Sequence, residues 1–111
     1  MWVSFSRMQL IETPMKRWPF SDPENVATVT VKQIAGGKEP ILLVCRDAED
    51  GGWQFLTGQI FEAADAMLVG LEHISEIDPS VLELADLPEG WSARREYVGG
   101  PWMRAKDESV D

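Results

Sequence analysis

The run Val26-Ala27-Thr28-Val29-Thr30-Val31 is dense in β-branched side chains. Their restricted χ1 suits a pleated strand better than a helix. After Pro40 comes Ile41-Leu42-Leu43-Val44-Cys45, apolar at every position. Such a run is apolar on both faces of a pleat and fits a central strand covered on two sides, with a short buried helix left open by periodicity alone. Only past Leu71 does the spacing change. Leu71, Ile74 and Ile77 recur at three-residue intervals with Glu72 and Glu76 on the other side, the mark of an amphipathic helix. β-type segments first and a helical segment late predict an α+β domain: a mostly antiparallel sheet of four to five strands with helices packed on one face.

The connecting segments agree. Ser21-Asp22-Pro23-Glu24-Asn25 is a turn-rich start, and Lys32-Gln33-Ile34-Ala35 reads as a helical turn closed by Gly36-Gly37. The polar loop from Asp47 to Gly52 joins the apolar run to Trp53-Gln54-Phe55-Leu56, which predicts a β-hairpin with a loop longer than two residues. Met67-Leu68-Val69-Gly70-Leu71 is a further short strand. Asp78-Pro79 begins a new helical segment, with aspartate as N-cap and proline where its missing N–H costs nothing. There Val81, Leu84, Ala85 and either Leu87 or Leu82 supply the buried side, Glu83 and Asp86 face water, and Pro88-Glu89-Gly90 ends the segment. Trp91 to Val98 reads as the last strand and Lys106 to Asp111 as a frayed tail. Trp53, Phe55 and Trp91 are expected in the core. The first twenty residues show neither period and contain Pro14 and Pro19. They are read as a peripheral extension before a domain over 21–104 and a tail over 105–111, with Met8 or Met15 as a candidate natural start.

Charge is the second constraint. From Asp47 to Glu89 there is no lysine or arginine, while eleven of the nineteen acids lie there. That stretch carries −11 and the remainder +2, for a net −9. A field of one sign attracts cationic partners and repels nucleic acid and anionic membranes. It serves equally as a solubility coat. One cysteine excludes an intrachain disulfide. The opening Met1-Trp2-Val3-Ser4-Phe5-Ser6-Arg7 is too short and polar for a secretory signal, and no apolar run reaches membrane-spanning length. A cytoplasmic protein is expected.

No motif for catalysis or metal binding is intact. Cys45 ends an aliphatic run, where a thiol is an inert small hydrophobe, and no third group orients a Cys45–His73 pair. His73 and Glu76 share ligand-compatible spacing, but a single histidine in the chain makes a surface His–carboxylate pair the simpler account. Asp47-Ala48-Glu49-Asp50-Gly51-Gly52 fails the calcium-loop pattern, with Gly51 at the fifth position and Gly58 at the twelfth. Gly36-Gly37-Lys38-Glu39 lacks the Ser or Thr and the upstream glycine of a phosphate loop. Arg94, Arg95, Arg104 and Lys106 are interleaved with Glu96, Asp107 and Glu108, a poor nucleic-acid surface. No cofactor is expected.

Several segments together carry a family resemblance. They are Trp18-Pro19-Phe20 with Asp22-Pro23-Glu24-Asn25-Val26, then Pro40-Ile41-Leu42, Gly52-Trp53-Gln54-Phe55-Leu56, and Ile77-Asp78-Pro79-Ser80 running to Leu84-Ala85-Asp86-Leu87-Pro88-Glu89-Gly90-Trp91. Over residues 18–104 the chain resembles a compact bacterial domain family, first catalogued without a function and later grouped with immunity proteins of polymorphic toxin systems. The resemblance implies an α+β fold and a non-catalytic role, with stoichiometric binding that neutralises a cognate toxin; it brings no active-site motif. With the charge reading it makes the expected partner a basic protein, such as a toxin domain. Glu72, Glu76, Glu83, Asp86 and Glu89 on the helical segment are the candidate contacts. Trp102, beside Gly99-Gly100-Pro101, is expected to be partly exposed and is the candidate aromatic contact. The alternative from another class is a stand-alone small-ligand-binding or regulatory domain, or an enzyme of unassigned substrate.

Overall fold

A computed structural model of the protein describes residues 18–108. These residues form one mixed six-stranded sheet with short helices, an α+β fold. In chain order they are β1 (Ala27–Val31), α1 (Lys32–Ala35), β2 (Leu43–Arg46), β3 (Trp53–Leu56), a 3-10 turn (Ala63–Asp65), β4 (Ala66–Gly70), α2 (Leu71–Ile77), a second 3-10 helix (Pro79–Leu84), β5 (Trp91–Arg94) and β6 (Met103–Lys106). The order across the sheet is β4-β1-β3-β2-β5-β6. All neighbours are antiparallel except β1 and β3, which are parallel and meet at Val29 and Gln54.

Alternation along the strands divides the sheet cleanly. Val44 lies opposite both Phe55 and Ala93, so these three share a face; Trp53 joins them two residues before Phe55. Thr28 and Thr30 belong to the same face and are buried. The Thr30 hydroxyl donates to the Phe55 carbonyl at 2.7 Å and the Thr28 hydroxyl to the Val69 carbonyl at 2.9 Å. Each thereby offsets the cost of burying a polar group. Over this face lie Ile34 of α1, Leu71 and Ile74 of α2, Val81 and Leu84 of the second 3-10 helix, and Leu87, all buried. Ile77, the third residue of the predicted helical stripe, lies at the end of α2 and is exposed.

Four features depart from the sequence reading. The sheet has six strands, not four to five. The extra one, β6, pairs from Trp91↔Lys106 to Arg94↔Met103, so Lys106 belongs to a strand and not to a tail. Phe20, placed in the peripheral extension, is a core residue. It meets Trp53 edge-on at 5.3 Å between ring centroids and Trp18 at 5.2 Å. Asp22 fixes this corner, accepting from the Trp53 indole at its carboxylate (2.8 Å) and from the Trp18 indole at its carbonyl (2.7 Å). Trp91 is only partly buried, unlike Trp53 and Phe55. Residues 1–17, with the candidate starts at Met8 and Met15, lie outside the described residues.

The Asp78-Pro79 junction forms as the local chemistry requires. Asp78 Oδ1 accepts from the Ser80 N–H at 3.0 Å and from its hydroxyl at 2.8 Å, and Pro79 opens the helix. The helix is 3-10, not α, and lasts six residues, longer than the roughly three or four that this tighter geometry usually sustains. The turn into β5 uses Gly90 at φ +83, where a side chain would be strained. Its N–H reaches the Arg46 carbonyl at 2.8 Å, and its own carbonyl accepts from Asp107 at 2.7 Å.

Candidate partner-binding surface

The acidic stretch folds into surface elements because its carboxylates occupy the positions that face away from the sheet. Asp47, Glu49 and Asp50 form the β2–β3 loop, tied by Asp47 Oδ1 accepting from the Glu49 and Asp50 N–H groups. Glu62 precedes the first 3-10 turn. Glu72 and Glu76 are exposed on α2, opposite buried Leu71 and Ile74. Glu83 is exposed on the second 3-10 helix, and Asp86 and Glu89 are exposed in the segment leading to β5. Glu89 folds back over Gly51 so closely that a Cβ there would sit 2.7 Å from its Oε2.

Three acids of the stretch are met by bases from outside it. Asp65 takes the Gln33 amide at 3.0 Å and the Lys32 ammonium at 3.3 Å. The Gln33 hydrogen bond, opposed by burial and assisted by Lys32, holds its carboxyl below the ordinary range. Asp86 receives Arg104 at 2.8 Å, which lowers its carboxyl likewise. Asp78 is the third. Burial alone would raise it, but the two Ser80 donors and the Arg95 guanidinium outweigh burial, leaving it lowered. Among the described residues no lysine or arginine comes within ion-pair distance of Asp47, Glu49, Asp50, Glu62, Glu72, Glu76, Glu83 or Glu89. Glu76 has only His73, at 3.9 Å. Of the five predicted acidic contacts, then, Glu72, Glu76, Glu83 and Glu89 present uncompensated charge, and Asp86 is engaged within the molecule.

Trp102 is partly buried. One face of its ring is already occupied, with the Arg95 guanidinium carbon 4.2 Å from the centroid, a cation–π contact. Arg95 itself is the polar centre that sequence reasoning missed. Its side chain is 1% exposed. It donates through Nε and Nη2 to the Ile41 carbonyl at 3.1 and 2.9 Å, through Nη1 to the Ser80 hydroxyl at 3.0 Å, and through Nη2 to Asp78. All three guanidinium nitrogens donate within the protein, so the cluster joins the segment before β2, the 3-10 helix and the β5–β6 hairpin. The signal was present in the strand parity: 91, 93 and 95 share a face, and Ala93 is core. Arg46 behaves similarly, stacking 5.0 Å over Trp53 and donating to the Leu87 carbonyl at 2.9 Å.

Other chemistry finds little support in the arrangement. Cys45 alternates with Val44 and so points away from the helical layer, whereas His73 is an exposed residue of that layer. The two are not brought together. Among the described residues no three His, Cys, Asp or Glu side chains gather to hold a metal ion. A surface cleft of about 350 Å³ borders Lys38, Glu39, Ile41 and Asp78, but the polar group at its inner wall, Asp78, is committed to Ser80 and Arg95. Among the described residues no helix is long and apolar enough to cross a membrane. Compared with known proteins, the chain matches no family model, no curated protein and no solved structure.

Proposed function

We propose that this protein is a non-catalytic, acidic binding protein that docks a basic protein partner stoichiometrically in the cytoplasm. On the family resemblance, the partner is a bacterial toxin domain that the complex silences. The observation that carries the reading is the distribution of charge. Eight surface carboxylates between Asp47 and Glu89 have no lysine or arginine within ion-pair distance among the described residues; of the bases that enter the region, Lys32, Arg95 and Arg104 pair with Asp65, Asp78 and Asp86, and Arg46 donates to the Gly51 and Leu87 carbonyls. A surface coat made for solubility gains from interspersed signs; segregation of one sign raises the local field and the encounter rate with a cationic partner.

The test is affinity capture of partners from native cells, followed by stopped-flow association with the purified partner. A one-to-one complex whose association rate falls steeply as salt rises supports the reading. A partner that associates at a rate indifferent to salt, or recovery of no stoichiometric partner at all, overturns it.

A further inference from the structure

Resting on that reading, we propose that the outer edge of β4 receives an extended segment of the basic partner, which adds one more strand to the sheet with its lysines or arginines at either end. Among the described residues the strand Ala66-Met67-Leu68-Val69-Gly70 is terminal in the sheet, and it contains neither a charge nor a proline. Its backbone orientation follows from two hydrogen bonds. The Leu71 N–H reaches the Val26 carbonyl at 2.9 Å, and the Val69 carbonyl accepts from Thr28. In antiparallel alternation this turns the polar groups of Met67 and Val69 toward β1, and those of Ala66, Leu68 and Gly70 outward. The Ala66 N–H is taken by the Ala63 carbonyl and the Gly70 carbonyl opens α2 as its N-cap, which leaves the Ala66 carbonyl, both polar groups of Leu68 and the Gly70 N–H as the outward ladder among the described residues. Leu68, 71% exposed, stands in the middle of this free ladder.

The opposite edge shows what a guarded strand looks like in the same molecule: β6 carries Arg104 and Lys106, charges of the kind that discourage edge pairing. At β4 the charges stand at the ends only, and the Lys32–Asp65 ion pair before Ala66 is internally neutral, which leaves Glu62 as the unpaired charge there. Glu62 precedes the strand, while Glu72 follows it and is tied by its N–H to the Glu24 carbonyl at 2.8 Å, so Glu24 sits at that end too. All three are exposed. A second copy of this chain would bring acids against acids at both ends of the new ladder. A strand with basic flanks meets opposite charge at both, gains main-chain hydrogen bonds along the edge, and reads as strand addition.

The full-length protein is titrated with the peptide Lys-Lys-Thr-Val-Thr-Val-Thr-Lys-Lys, with its counterpart bearing glutamate for each lysine, and with a lysine peptide N-methylated at alternate residues. Amide exchange is followed by NMR. The lysine peptide is expected to slow exchange at Leu68 and Gly70 by about tenfold or more, and the other two peptides to leave it unchanged. Leu68→Pro removes an outward donor and no bond to β1, so it should abolish that protection with an unchanged far-UV spectrum. Should Leu68→Pro fail to fold, Leu68→Lys, a charge on the open edge, should do the same. Salt-sensitive binding without protection of β4 overturns the edge assignment and leaves the acidic binding reading standing. Protection by the glutamate peptide as well overturns the basic flanks. Two further results overturn the proposal: a doubled mass without peptide, or Leu68 and Gly70 amides already protected in the peptide-free monomer.

Discussion

Arg95 and Asp78, seventeen residues apart, close an ion pair that is buried on the arginine side and capped by the Trp102 ring. The guanidinium also holds the Ile41 carbonyl twice, so one side chain satisfies acceptors from two distant segments. Removing one partner of such a pair leaves the other stranded. Arg95→Ala is expected to cost about 3–5 kcal/mol in urea unfolding. Arg95→Lys should recover little of that, since an ammonium cannot reproduce the planar fork. A Lys variant as stable as the parent would contradict the assignment.

The pH dependence follows from the same pair. Asp78 has its carboxyl lowered in the folded state, so between its folded and unfolded values the unfolded chain binds the extra proton. Stability from this group is therefore full above the ordinary aspartate value of about 4 and is lost as pH falls through the lower folded value. Asp78→Asn should flatten the acid limb of the stability curve. Unfolding midpoints from pH 2 to pH 6 would show this, and an unchanged acid limb would exclude Asp78 as its source.

Aromatic truncations should separate by burial. Phe55 is completely buried and stacked on Trp53 at 6.0 Å, so Phe55→Ala should cost about 3–5 kcal/mol. Trp91→Ala should cost clearly less, because part of its ring is already in water. Equal losses in denaturant melts would mean Trp91 contributes through something other than core burial.

Double reversal of Glu72 and Glu76 to Lys should leave the melting temperature within a few degrees, since both are exposed and neither meets a lysine or arginine among the described residues. Association with the proposed basic partner should slow strongly, and the difference should fade as salt brings the screening length below about 8 Å. Reversal of Asp86 is a poorer probe because it also breaks the Arg104 contact. An association rate blind to the Glu72 and Glu76 reversals would place the interface elsewhere.

Much of the architecture is legible in residue types. The β-branched run gives β1, the polar loop between two apolar runs gives the β2–β3 hairpin, and Asp78-Pro79-Ser80 gives its own cap. These features are local: a few neighbouring residues determine them. What escaped is what distant partners decide. Met103-Arg104-Ala105-Lys106 has no apolar alternation and becomes a strand only because β5 offers it a ladder. Phe20 sits in an aperiodic segment and becomes core only because Trp53 lies beside it. In the sequence Arg95 is one of four bases interleaved with acids, and only its parity with Ala93 hints that it points inward. The acidic contacts were legible as exposed, but that Arg104 would take Asp86 out of the set required the hairpin to be folded.

The parallel pairing of β1 with β3 has a kinetic consequence. Since β2 follows β1 in the chain but pairs with β3, the first strand cannot be seated by a simple reversal of direction. The hairpin of β2 and β3 closes over a short loop, whereas β1 must wait for that template before its central position, with β4 outside it, can exist. Long-range closure of this kind slows folding relative to local hairpins. Substitutions at the Val44–Phe55 contact should therefore retard refolding, and those at Thr28 or Val69 should chiefly hasten unfolding, a distinction that chevron kinetics would read directly. In the living cell, β1 leaves the ribosome before the other described strands, yet its first partner β3 is made only after β2, so the order of synthesis and the order of pairing differ at this strand.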